Sequence, residues 1–163
     1  MEKKILEYLQ LSDEVNDCGE AERLEEEFSR EGRSFYEVFS LRGIRVSRVD
    51  LGFISCSFKV PLRLTVRLQD ENWVYTLYIL EDRDRNLANG AIANLVDEVG
   101  GALVQIEGLL PPCVSVDMSI EFLSTAKLGE ELEVTSRLLG ERGRYKGTLV
   151  VVRNKRTGEV IAE

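Results

Sequence analysis

"NLANGAIANLVDEVGGALV", residues 86–104, decides how this chain is read. It is an apolar run of helix length, with Gly90 near its start and Gly100-Gly101 inside it. Projected at 3.6 residues per turn from Gly90, the residues Ile92, Leu95, Val99, Leu103 and Ile106 gather on one side, and Val96 leans towards them. Gly90, Ala93, Asn94, Asp97 and Gly101 fall on the other side, spaced by three and four. The first face suits packing under a sheet. The second is small or polar, and Asp97 is its only charge.

Small neighbours leave room for something to approach that carboxylate. Asp97 is two turns in from the helix start, too deep to cap it or to gain much from the helix dipole. A carboxylate in apolar surroundings is costly unless it is paired, hydrogen-bonded or used. On periodicity alone two readings stand: a site acid, or an acid paired with an arginine or partly solvated. Glu98 lies on a different face and reads as solvated or as an interface residue. At the helix start, Ala88-Asn89-Gly90 offers Asn89 as an N-cap and Gly90 as a permissive position where backbone N–H groups lack partners. Such groups bind anions or polarise a carbonyl. With a carboxylate further along, they outline a site for acyl chemistry.

Strands surround this helix in sequence. "GIRVSRVDLGFISCSFKV" from Gly43 reads as a hairpin turning at Asp50-Leu51-Gly52, and Pro61 ends its second strand. "VSVDMSIEF", residues 114–122, alternates without fault: Val114, Val116, Met118, Ile120 and Phe122 on one face, Ser115, Asp117, Ser119 and Glu121 on the other. "EELEVTSRLL" alternates likewise, and "TLVVVRN" and "EVIAE" flank a turn at Thr157-Gly158. Runs of strands with one central helix predict an α+β domain with an antiparallel sheet. Residues 1–34 read as an acidic helical extension with a weak apolar stripe at Ile5, Leu6 and Leu9, and residues 35–163 as the domain. "VRLQDENWVYTLYILE", 66–81, reads as an insertion. "LGERGRYKGT" fits no Walker spacing and reads as a hairpin turn, with Arg142, Arg144, Lys146 and Lys127 as exposed bases.

The 163 residues are 44% hydrophobic and 31% charged, which suits one globular domain with its own core. A net charge of -8 argues against nucleic acid or an anionic membrane held by overall electrostatics. The chain has no histidine, which removes Ser-His-Asp, Cys-His and His-ligated metal chemistry together. No ligand cluster points to a metal or redox cofactor. Cys18, Cys56 and Cys113 read as reduced thiols, the latter two as small buried hydrophobes in strands. The start lacks the apolar core of a signal peptide, no stretch is long enough to span a membrane, and "EVIAE" carries no peroxisomal tripeptide. The expected compartment is the cytoplasm, with mitochondria and peroxisomes left open.

"GAIANLVDEVGGALV", "VSVDMSIEFLSTAKLGEELEV" and "RTGEVIA" together resemble the hotdog-fold acyl-CoA thioesterases, in the PaaI-like group typified by acyl-coenzyme A thioesterase 13, with its plant-type members. The resemblance runs from Phe35 to Glu163 apart from the insertion. It implies a long helix wrapped by a curved antiparallel sheet, with protomers pairing through residues 114–122 into a homodimer or homotetramer. It implies hydrolysis of a fatty or aromatic acyl-CoA at the dimer interface, with no cofactor. By position Asp97 falls on the family's general base or nucleophile, Asn89 and Gly90 on the Gly-Gly that polarises the thioester carbonyl, and Ser115 on a serine that orients water. Asn86, Asn94, Lys127 and Arg144 are the candidate substrate-binding residues, the two bases as part of a patch for CoA phosphates.

The chain departs from the family in its helix start, Ala88-Asn89-Gly90, where the family has His-Gly-Gly. The family's upstream Asn aligns on Asp82, with Asn86 as the nearest amide. Relatives continue the last strand beyond the position of Glu163, which leaves a sheet edge to be exposed here. The competing reading is a hotdog subunit without efficient catalysis, acting as an acyl-CoA binder or assembly partner. A hotdog dehydratase or hydratase is disfavoured because those lean on a histidine.

Overall fold

The computed structural model describes Leu9 and residues 39–67, 85–106 and 114–163. Strands β1 (Arg45–Asp50) and β2 (Phe53–Lys59) form the expected hairpin, closed by Gly52 at φ 70°. A positive φ there is open to glycine without the steric cost of a Cβ. Beyond Pro61, a short 3-10 turn (Leu62–Leu64) leads into β3 (Thr65–Arg67), which pairs with β4 (Arg85–Leu87) as a separate ribbon. The insertion read at 66–81 therefore begins inside β3, and its residues from 68 onward lie outside the described residues. So do Cys18, Asp82, Cys113 and, apart from Leu9, the acidic extension.

Helix α1 (Asn89–Ile106) follows β4 directly. After it come β5 (Glu131–Arg142), β6 (Tyr145–Asn154) and β7 (Val160–Ala162). The main sheet is antiparallel throughout, in the order β1-β2-β5-β6-β7, and α1 lies mainly against β5 and β6. This is the α+β arrangement that the order of elements implied. The aliphatic stripe of α1 is buried as projected: Ile92, Leu95, Val99 and Leu103 share one core with Ile54, Phe58 and Leu132 of the sheet. Leu9, from the stripe of the N-terminal extension, is buried in the same core.

The two inner glycines of α1 have different surroundings. A Cβ on Gly100 would stand 3.2 Å from Thr148 Oγ1 and 3.3 Å from Val150 Cγ2, so glycine here lets the helix backbone lie close on β6. A Cβ on Gly101 would meet nothing within 4 Å.

Residues 114–122 correct an expectation. The alternation predicted a strand with Val114, Val116, Met118, Ile120 and Phe122 on one face. The backbone instead bends at Val116, and only Phe122 makes a bridge, to Ala162. Val114 and Val116 are 80% and 73% exposed, whereas Ile120 packs against the core. The physical reason is the neighbour: β7 has three residues, and among the described residues nothing lies beside 114–120 to complete a ladder.

Two substitutions check the helix–sheet contact by urea denaturation. Gly100→Val should destabilise by about 1–3 kcal/mol through overpacking against β6. Gly101→Ala should be stabilising, by up to about 1 kcal/mol, because a helix-interior glycine is replaced where there is space.

Candidate active site

Asp97 sits at mid-helix on the face of α1 turned away from the main apolar stripe, and it is half-buried. The Ser115 hydroxyl donates a hydrogen bond to Asp97 Oδ1. Among the described residues no arginine pairs with this carboxylate, so the ion-pair reading of Asp97 is not what the fold builds. The pair opens on a cleft of about 560 Å³. Its floor is α1 at Val96, Asp97, Gly100 and Val104, and its walls are residues 114–119 and 144–150. Arg144 stands on the rim, in the turn between β5 and β6. Lys146, on the same rim, is 3.6 Å from the Glu141 carboxylate.

The helix start is a second cluster. Ala88, not Asn89, acts as the cap: its carbonyl accepts from the Ala91 and Ile92 amides at 2.9 and 3.1 Å. The amides of Asn89 and Gly90 come before that first bond and have no acceptor within the helix. Both residues are exposed, and a Cβ on Gly90 would meet nothing within 4 Å, so the end is open to a ligand. The β4 strand that leads into it carries Asn86, whose Oδ1 is buried without a donor, and Asn86 lies opposite Lys127 in an isolated bridge. A buried acceptor left without a donor is uncommon and marks a place where a ligand or partner group can bond.

The candidate residues thus fall into two groups. Asp97, Ser115 and Arg144 share the cleft, while Asn86, Asn89, Gly90 and Lys127 gather at the helix start. Asn94 belongs to neither: its amide donates to Ser40 Oγ at 3.0 Å, tying α1 to the segment before β1. That segment is also held by Arg63, which donates to the carbonyls of Phe39 and Arg42 at 2.8 and 2.6 Å. Burial pushes the Arg63 guanidinium down to about 10, and these two carbonyls are what make its burial tolerable. Asp117 and Tyr145 also line the cleft and were not singled out from the sequence. An alternating strand position and a turn residue carry no periodic sign of a cleft that only the fold creates.

Residues 85–160 match the family described as Thioesterase superfamily. The human protein acyl-coenzyme A thioesterase 13 is 38% identical over 77 residues, covering 47% of this chain and 55% of that protein. The chain spans about half the length of the curated relatives it matches. Among solved structures, zebra fish thioesterase superfamily member 2 superposes with a TM-score of 0.61 at 28% identity, over 76% of this chain and 78% of that one. The Mus musculus thioesterase superfamily member 2 gives 0.59 at 26% identity, over 86% of each chain. Residues 85–160 are thus similar to a thioesterase-superfamily domain, and the fold is the hotdog fold that the resemblance implied.

Among the described residues no three His, Cys, Asp or Glu side chains gather where they could hold a metal, and no helix is long and apolar enough to cross a membrane. Cys56 sits buried in β2, where desolvation pushes its thiol up to about 12. Its thiol form is thus favoured by folding. The stability this contributes is complete below the ordinary value of 9.0 and is lost as pH rises from there towards 12. At pH 8, iodoacetamide should therefore leave Cys56 unmodified in the folded protein and label it in urea, as read by peptide mass spectrometry.

Proposed function

We propose that this chain is a subunit of a cytoplasmic acyl-CoA thioesterase that hydrolyses fatty or aromatic acyl-CoA to the free acid and CoA, as part of acyl-lipid metabolism. The observation that carries this reading is the Ser115 hydroxyl on the Asp97 carboxylate, at mid-helix beside an open cleft. The similarity to proteins named acyl-coenzyme A thioesterase 13 supports the substrate class.

The chemistry uses groups already in place. Water attacks the thioester carbonyl carbon as Asp97 takes its proton. The oxygen that becomes negative is stabilised by helix-start N–H groups at Asn89 and Gly90. Collapse breaks the C–S bond, and the proton held by Asp97 goes to the departing CoA sulfur. Ser115 holds the carboxylate and orients the water. Arg144 and Lys127 are the bases offered to the CoA phosphates. Asn86 meets the bound substrate with its buried acceptor.

Geometry also supports an assembly of two copies. Gly90 and Asp97 are seven positions apart, roughly 10–11 Å along the helix axis. An oxyanion donor and a general base must each stand about 3 Å from atoms of the same reacting group. One chain cannot supply both to one carbonyl, so the helix start of one copy works with Asp97 and Ser115 of another. A two-fold homodimer provides two such sites, because each surface is used once by each copy. Exposed residues 114–118 supply the pairing edge, and a homotetramer is a dimer of such dimers.

A second reading, a subunit that binds acyl-CoA without turning it over, is favoured by Ala88-Asn89 standing where the family has His-Gly. Thiol release from short, long and aromatic acyl-CoAs separates the two. For the thioesterase, Asp97→Asn should lower kcat by about 10²–10⁴-fold with acyl-CoA binding kept, and Ser115→Ala should have a smaller effect. Equal turnover in wild type and Asp97→Asn would remove Asp97 from catalysis. Binding without turnover in the wild type would establish the second reading.

A further inference from the structure

The first amides of α1 have no partner within the helix to aim them, so their direction is set from outside it. The Ala88 N–H donates to the Leu64 carbonyl at 2.9 Å, and the Ala88 carbonyl takes the Ala91 and Ile92 amides at 2.9 and 3.1 Å. Ala88 is therefore the joint through which the 3-10 turn (Leu62–Leu64) decides where Asn89 and Gly90 point. The β3–β4 ribbon begins one residue later, at Thr65 opposite Leu87, so the Leu64–Ala88 bond is its last link before the helix. The turn is three residues long, and its closing bond, from the Leu64 N–H to the Pro61 carbonyl, is 3.3 Å. So short a 3-10 piece holds no direction by itself. A side chain supplies the hold. Arg63, half-buried at the centre of the turn, donates through Nε to the Phe39 carbonyl at 2.8 Å and through Nη2 to the Arg42 carbonyl at 2.6 Å. Its guanidinium also lies 6.0 Å from the centre of the Phe39 ring. The two carbonyls flank a helical turn, residues 39–41, that ends at Gly43 with φ 89°. A planar two-pronged cation suits the end of a helical turn by both its hydrogen bonds and its charge. The same turn reaches α1 by a second route, because Ser40 Oγ accepts from the Asn94 amide at 3.0 Å.

We propose that Arg63 is a positioning residue of the active site: by clamping the Leu62–Leu64 turn to residues 39–42, it holds the Leu64 carbonyl that aims the Asn89 and Gly90 amides. Its donors are spent on Phe39 and Arg42, so it acts on the helix start through the backbone. The inference rests on the thioesterase reading, in which these amides stabilise the oxyanion. Donors of this kind work only when they point at the place where charge develops, and a displacement of about 1 Å lowers the rate steeply. Grip on the rest of the substrate is left to other groups, so loss of the clamp is read in kcat and not in KM. A lysine in place of Arg63 keeps the charge but offers one ammonium centre, where the guanidinium spans two carbonyls.

The test compares the whole chain with Arg63→Met and Arg63→Lys, with rates expressed per folded molecule from near-ultraviolet circular dichroism. Thiol release from acyl-CoA gives kcat and KM, and amide hydrogen exchange reads the helix start directly. Arg63→Met should lower kcat by about 10–100-fold, with KM within about twofold of wild type. Exchange of the Ala88 N–H should quicken by about tenfold or more, with Leu95, Val99 and Leu103 unchanged. Arg63→Lys should restore part of both, and it carries the test should Arg63→Met fail to fold. Faster exchange along the whole of α1 would mark a merely structural role and overturn the proposal. Unchanged kcat, unchanged Ala88 exchange or a loss confined to KM would overturn it as well. A wild type without turnover would fell the thioesterase reading instead, and Ala88 exchange in the two variants would still decide whether Arg63 holds the helix start.

Discussion

Burial of one aliphatic stripe of α1 is the constraint on which the rest depends. Ile92, Leu95, Val99 and Leu103 are each nearly or wholly excluded from water. Removing side chains of this size from water is worth about 1.5–3 kcal/mol each. That fixes the rotation of the helix about its axis, and rotation decides what the opposite face presents. Gly100 then lets α1 approach β6 closely enough that Asp97 lies beside the wall carrying Ser115. The site is a consequence of the core: a helix turned by one residue would bury the carboxylate and expose a leucine.

The same rigidity separates the site into halves. A straight helix cannot bring its own first turn to its own middle, so under the proposed mechanism the amides at Asn89 and Gly90 and the acid at Asp97 would serve one reaction only across two copies. Two further features agree with this division. Asn86 holds a buried acceptor without a donor, and Val114 and Val116 are exposed beside the cleft. Each is an oddity in an isolated chain and an ordinary feature at an interface.

Much of this was legible in the sequence, and for identifiable reasons. The helix is marked by its two-faced periodicity, and the β1–β2 hairpin by Gly52 between two β-branched runs. Asp97 stands out as the lone charge on its helix face, Ser115 is reached through its place in a family pattern, and the fold puts the two in contact. What escaped has a physical cause in each case. Asn89 has a good capping side chain, yet Ala88 is the cap, because its N–H donates to the Leu64 carbonyl and fixes where the chain turns into the helix. Asn94 shares a helix face with Asp97, but Ser40, 54 residues earlier in sequence, takes its amide. The alternation at 114–122 marks strand character, and alternation says nothing about whether a neighbour is present to pair with.

Mixed subunits test the division of the site most directly. Asp97→Asn removes the base from a chain, and Gly90→Pro removes a helix-start N–H at a position where proline is compatible with a first turn. Each variant alone should be inactive or nearly so. Refolded together in equal amounts, half of the dimers carry one of each, with both lesions in one site and none in the other. The mixture should regain about a quarter of wild-type thioesterase activity. A mixture no more active than the mean of the two variants would contradict a site shared between copies.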